Sequence, residues 1–396
     1  MRKGWQTKKL GEVADVYDGP HATPKTVDTG PIFLGISALR DGVIDLNETR
    51  HVTEDDFRQW TRRVMPQPND VVFSYETRLG QAAIIPEGLK CCLGRRMGLV
   101  RFNEDEVAPR FFLYQYLSPP FRDYLNSKTV RGATVDRISI REFPYFQIAV
   151  PPLSEQHRIV GILDEAFDGL TTATANAEKN LRNARALFES HLQSVFTQRG
   201  KGWEEKRICD ACILRSGTTL APELEKSSGE IPYLKVADMN LSANLNGITC
   251  SSRYVSKHDV NASNLLPVGT TIFPKRGGAI LTNKKRLTTR IICADLNIMG
   301  VTPKQGLLPQ FLFNYFLNLD LREINNGSSI PQINNYSIEP LVIVFPESVS
   351  EQQAIVEKVR SLSEETQRLE SIYQQKIAAL GELKKSLLHE AFSGRL

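Results

Sequence analysis

Between Ile355 and Leu387 the apolar residues recur at steps of four and three in turn: Ile355, Val359, Leu362, Leu369, Tyr373, Leu380, Leu383 and Leu387. Only Thr366 and Lys376 interrupt the stripe, and the positions between are polar. This spacing predicts a long helix that buries a narrow seam, as in a coiled coil. An earlier stretch repeats it with smaller residues: Ile159, Leu163, Ala166, Leu170, Ala173, Ala177, Asn180, Ala184 and Leu187. Small residues there fall opposite large ones here, so the two helices are expected to pair with each other. The chain must turn back for this, which makes the pair antiparallel. Asn180 and Lys376 hold equivalent seam positions. Either they fix register or meet a partner, or the seam is open at that point.

Outside these stretches the apolar runs are short. Ile32–Ile36, Asp70–Ser74, Gly98–Phe102 and Phe146–Val150 read as strands punctuated by Gly, Pro, Asn and Asp. Pro109–Leu125 and Pro309–Ile324 read as helices with proline at the start. The fold class expected is mixed α/β, α+β in character, in two globular copies separated by the two long helices.

The copies are related by an internal repeat. VPPLSEQHRIV from Val150 answers VFPESVSEQQAIV from Val344, and each places Ser-Glu-Gln at the opening of a long helix. Ser350 is expected to cap the second helix, with Gln353 completing a capping box. Gly4-Trp5 answers Gly202-Trp203, Arg50 answers Arg253, and the MGLV at Met97 answers the MGVT at Met299. The order never changes, so the chain reads as a duplicated domain. The expected organisation is head 1 over 1–150, a helical region over 151–200, head 2 over 201–346 and a second helical region over 347–396.

A length of 396 residues with 41% hydrophobic residues supports two or three packed cores. No apolar run is long enough to span a membrane. The start lacks the apolar core of a secretory signal. Cys209 and Cys212 form a lone C-x-x-C, and the six cysteines suit reduced thiols in a cytoplasmic protein rather than a zinc site. No phosphate-binding loop, methyltransferase tetrapeptide, nucleophile elbow or zinc-protease helix occurs. The chain therefore reads as a binding component without catalytic or metal-ligating residues.

The net charge of +4 is small, so the distribution of cations matters more. The stretch 274–290 holds Lys275, Arg276, Lys284, Lys285, Arg286 and Arg290 with no acid among them. Gly277 and Gly278 would let a phosphate approach the backbone. In the first copy Arg78, Arg95, Arg96, Arg131, Thr134 and Arg137 are the corresponding candidates for DNA contact. Arginine can grip guanine O6 and N7 in a fork, and Asn or Gln can do the same with adenine. A two-headed coiled-coil adaptor for proteins, without DNA recognition, is the alternative reading. A nuclease or methyltransferase acting alone is a third.

Two variable heads, two helices each introduced by Ser-Glu-Gln, and the final LLHEAFSGRL from Leu387 together resemble the specificity subunits of type I restriction–modification enzymes. The resemblance runs through the whole chain. It implies that each head is a target recognition domain for one half of a split, asymmetric DNA site. It implies that the helices set the unread gap and dock methyltransferase subunits. Restriction subunits would join that core, and S-adenosylmethionine, ATP and Mg would be carried by the partner subunits, with no cofactor on this chain.

Overall fold

The computed structural model describes residues 4–21, 23–132, 135–197, 200–327, 330–393 and 395–396. It divides into two compact units, Met1–Glu178 with Gln374–Leu396, and Lys179–Tyr373.

In the first unit, head 1 is closed by its own ends. Gln6–Lys9 pairs antiparallel with Gln147–Val150. A four-stranded antiparallel sheet is built from β1 (Ala14–Asp18), β2 (Val71–Ser74), β3 (Ala82–Ile84) and β4 (Met97–Phe102), in the order β1-β4-β2-β3. The central strand β2 is buried at every position, as expected of a strand covered on both faces. A smaller sheet sets Val27–Leu34 parallel to Cys91–Leu93 and antiparallel to Arg50–His51.

Head 2, in the second unit, has the same plan. Trp203–Arg207 pairs with Val342–Pro346. The strands β5 (Cys212–Ser216), β6 (Thr271–Pro274), β7 (Arg286–Leu287) and β8 (Ile298–Pro303) form a sheet in the order β5-β8-β6-β7. Ile231–Leu234 lies parallel to Ile292–Ala294 and antiparallel to Tyr254–Val255. Equivalent aromatics fill the two cores: Phe73, Phe111 and Tyr116 in one, Phe273, Phe311 and Phe316 in the other.

The two copies match with one offset that differs from the sequence pattern. Gly19 N donates to Met97 O, and Gly217 N donates to Ile298 O, each at 2.9 Å. Met97 therefore answers Ile298, and the shared Met-Gly pairs are out of step by one residue. The helix expected over Pro109–Leu125 is also two helices, Pro109–Leu117 and Pro119–Lys128. Pro119 and Pro120 have no N–H to continue the first, and Ser118 caps the second.

The long helices are α1 (Leu153–Thr197) and α2 (Val349–Ser393). They run antiparallel within each unit. In the first, Arg158 Nη2 donates to Leu396 O at 3.3 Å, while Lys384 Nζ sits over the Phe167 ring at 5.2 Å. In the second, Arg185 Nε pairs with Glu370 Oε1 at 2.6 Å, and Phe188 faces Val359 across a cavity of about 600 Å³.

The seam follows the expected positions as far as Ala177 and Tyr373; beyond them Ala184, Leu380 and Leu387 stay covered, while Asn180, Leu187, Lys376 and Leu383 do not. Ile159, Leu163 and Val359 are buried, and Leu170, Ile355, Leu362, Leu369, Tyr373, Leu380 and Leu387 are half-buried. Beyond Ala177 the covered positions are Leu181, Ala184 and Phe188, and Leu187 is 64% exposed. Beyond Tyr373 they are Ile377, Leu380 and Lys384, and Leu383 is 47% exposed. Asn180 and Lys376 are exposed and lie outside the seam. Each helix takes two consecutive steps of four at the same place in the repeat. A strict seven-residue pattern drifts by about 20° per heptad on a straight helix, and the extra residue restores the phase.

Ser-Glu-Gln also does different work from that expected. The second helix is capped by Ser348, whose Oγ accepts from Glu351 N at 3.4 Å. Gln353 instead bonds Glu357 on the surface. The working residue is the glutamine of the motif. Gln156 is fully buried; its Oε1 accepts from Ala108 N and its Nε2 donates to Glu106 O and Pro151 O, at 2.8 to 2.9 Å. Gln352 makes the same three bonds with Leu308 N, Gly306 O and Pro346 O, each at 2.8 Å.

Candidate nucleic-acid interface

The antiparallel register brings the end of β1, the end of β2 and the start of β4 to one edge of the head 1 sheet. Tyr75 and Glu76 follow β2, and Arg95 and Arg96 precede β4. Tyr75 Oη donates to Asp18 at 2.9 Å, and burial together with this carboxylate raises the Tyr75 pKa so that the phenol stays protonated. Arg96 pairs with Glu76 at 3.0 Å. Beside them Arg137 runs in a backbone bridge to Glu76, with Ile138 N donating to Tyr75 O at 2.9 Å. A depression of about 390 Å³ is lined by Tyr75, Glu76, Arg95, Arg96 and Arg137. A second, of about 330 Å³, shares Arg95 and Arg96 and adds Arg50.

Among the described residues, the side chains of Arg50, Arg95, Arg131 and Arg137 have no hydrogen bond or ion pair, and all four are exposed. Such cations are available to phosphate or base edges. Arg78 is differently employed, donating to Ile36 O and Ser37 O. Thr134 lies outside the described residues. The only signal of Arg50 in the sequence is its place in the repeat.

In head 2 the stretch 274–290 does not form one patch. Lys275 and Arg276 leave the end of β6 at the equivalent sheet edge. Lys275 Nζ donates to Ser216 Oγ at 2.7 Å, and burial lowers its pKa, with help from the Arg276 charge. Arg276 is exposed and unpaired among the described residues. Lys284 turns away to Asn240. Lys285 is 3% exposed and donates to Asn283 Oδ1 and Leu319 O, with its pKa pushed down to about 8 by burial. Contrary to the expectation from sequence, Lys285 does not face DNA, because its ammonium is spent inside the fold. Arg286 donates to Lys285 O and lines the cavity of Phe188. Arg290 donates to Glu230 O and Thr249 O. The physical reason for this dispersal is a turn of 3-10 helix, Gly277–Thr282, followed by the two-residue strand β7, which send successive side chains in different directions.

The backbone at the two sheet edges is nonetheless the same. Lys275 N donates to Asn297 O as Tyr75 N does to Arg96 O, and Ile333 N donates to Lys275 O. Asn297 therefore answers Arg96, and Gln332, bridged to Arg276, answers Arg137. Thr77 and Gly277 share a left-handed turn, with φ of 69° and 71°. Glycine adopts this freely; a β-branched threonine does so under strain.

Two stretches, residues 2–181 and 200–378, match the family model described as the type I restriction modification DNA specificity domain. The chain belongs to this family, that of the type I restriction–modification specificity subunits. Among the relatives of this specificity subunit, the MjaIX specificity subunit of Methanocaldococcus jannaschii is 25% identical, over 100% of this chain and 94% of its own. The EcoKI specificity subunit of Escherichia coli is 22% identical over 90% and 81%. The match to the EcoBI specificity subunit takes in 52% of this chain and 42% of that protein, at 22% identity. Two solved structures share the fold. A chain from a study of complex assembly and conformational transition in the type I R-M system has a TM-score of 0.80 and 18% identity, covering 100% of this chain and 99% of that one. The HsdS subunit of Thermoanaerobacter tengcongensis has a TM-score of 0.62 and 18% identity, with 100% and 98% covered. A specificity subunit is the recognition component of its system and not its catalyst. Among the described residues, no helix is long and apolar enough to cross a membrane.

Proposed function

We propose that each head binds one half of a bipartite, asymmetric site on double-stranded DNA, and that the antiparallel helices set the unread gap between the halves. Methyltransferase subunits dock on those helices, and restriction subunits join through that core. S-adenosylmethionine, ATP and Mg belong to these partner subunits, in the cytoplasm. The reading is carried by one observation: the same sheet-edge backbone occurs in both copies but bears different polar side chains, with unpaired arginines exposed at the edge. Phosphate contacts would place each head and base-edge contacts would select sequence. A helix of about 45 residues extends roughly 68 Å, and DNA rises about 3.4 Å per base pair, so a stiff helical pair is long enough to define a gap.

The test is methylome sequencing of the host with and without this chain. One split motif of fixed gap, methylated only when the chain is present, is the expected result. Unchanged methylation would reject the reading. A protein-binding adaptor would in addition show no salt-dependent affinity for duplex DNA when assembled with the methyltransferase subunits.

A further inference from the structure

The two sheet edges differ most usefully at one position. Arg137 and Gln332 stand at the same point of the backbone, each bridged to the second residue after the central strand, Glu76 or Arg276. The residue that follows each is buried and donates to the equivalent carbonyl, Ile138 N to Tyr75 O and Ile333 N to Lys275 O, both at 2.9 Å. The backbone is thus fixed from both sides. The side chains are not: neither the Arg137 guanidinium nor the Gln332 amide has a partner among the described residues. Of their neighbours, Arg96 is held by Glu76, Lys275 by Ser216 and Asn297 by Asp295 at 2.7 Å, while Arg95 and Arg276 are unpaired among the described residues but have no counterpart of the same kind at the matching position.

We propose that Arg137 and Gln332 are equivalent specificity-determining residues, Arg137 gripping a guanine and Gln332 an adenine through the major-groove edge. This rests on the reading of the heads as DNA readers. The chemistry follows from the donor sets. A guanidinium offers two parallel N–H donors, which match the O6 and N7 acceptors of guanine. A glutamine amide offers one donor and one acceptor, which match N7 and the N6 amino group of adenine. A residue that only neutralised phosphate would have no reason to be an uncharged amide in one copy. A fixed backbone carrying a free side chain is what a reader needs, since the base edge must be met at a set distance while no other part of the fold depends on the side chain.

The experiment uses the full chain with its methyltransferase subunits in the host. The wild-type methylome first defines the two half-sites. Arg137→Gln is then expected to change one base of a single half-site from guanine to adenine. Gln332→Arg is expected to make the reverse change in the other half-site. On duplexes carrying the mapped site and its single-base variants, each purified mutant complex is expected to shift its preference at that base by about 10- to 100-fold. Affinity lowered equally on all duplexes, with a shallower salt dependence, would make these residues phosphate contacts and overturn the assignment. So would mutants that methylate the wild-type motif unchanged. A mutant that methylates nothing is judged on the duplex panel, with its unfolding midpoint compared with wild type; loss of folding in both Arg137→Gln and Arg137→Ala would make the residue structural and likewise overturn the proposal. Failure of the wild-type chain to direct any methylation would instead bring down the broader reading, and this one with it.

Discussion

Head 1 ends its sheet in a tyrosine held by an aspartate, Tyr75 on Asp18; head 2 ends the equivalent sheet in a lysine held by a serine, Lys275 on Ser216. The backbone hydrogen bonds beneath are the same. At the other side of each head, Gln156 and Gln352 are identical in residue, burial and all three bonds. The contrast separates two kinds of position. Where three backbone groups depend on one side chain, the copies agree. Where the side chain supports only its immediate neighbour, they have diverged, and the chemistry has changed sign or lost charge.

The comparison is sharpest at the glutamines. Gln156→Ala and Gln352→Ala each strand one buried carbonyl together with a part-buried carbonyl and a part-buried amide N–H, and each should cost about 3 kcal/mol. Urea unfolding, with hydrogen exchange at Ala108 and Leu308, measures the loss. Gln353→Ala, on the surface beside them, should stay within about 0.5 kcal/mol of wild type. Unequal costs in the two copies would break their equivalence. The seam provides the next test. Phe188→Ala should destabilise by about 1–2 kcal/mol, and its neighbour Leu187→Ala should be close to neutral. The opposite ranking in thermal unfolding would restore the unbroken heptad. The smallest effect lies at the left-handed turn. Thr77→Gly should stabilise by about 1 kcal/mol, since glycine relieves the strain at φ of 69°, while Gly277→Thr should destabilise by a similar amount. Denaturation midpoints that move together rather than in opposite directions would show that the turn is not shared.

The repeat, the two helices and their antiparallel sense are legible in the sequence, because a period near 3.5 and a duplicated order survive loop divergence. The seam beyond Ala177 is not, since a seven-residue template hides a local shift by one residue. The role of Gln156 is hidden because its partners Ala108 and Glu106 lie about fifty residues away along the chain. Lys285 misleads for a related reason. A run of cations looks like one patch when written as a line, but the short strand Arg286–Leu287 and the turn before it place Lys285 against Leu319 O, in the interior. Arg95 and Arg137, more than forty residues apart, share one depression that only the folded chain reveals.

The buried glutamine has a mechanical meaning. It joins the first turn of each long helix to the head before it through three bonds that must break together for the joint to swing. Head and helix are therefore braced at their elbow, so that a swing of the shaft has to carry the nearby part of the head with it or break all three bonds. Compliance, where the molecule needs it, has to reside in the shafts themselves.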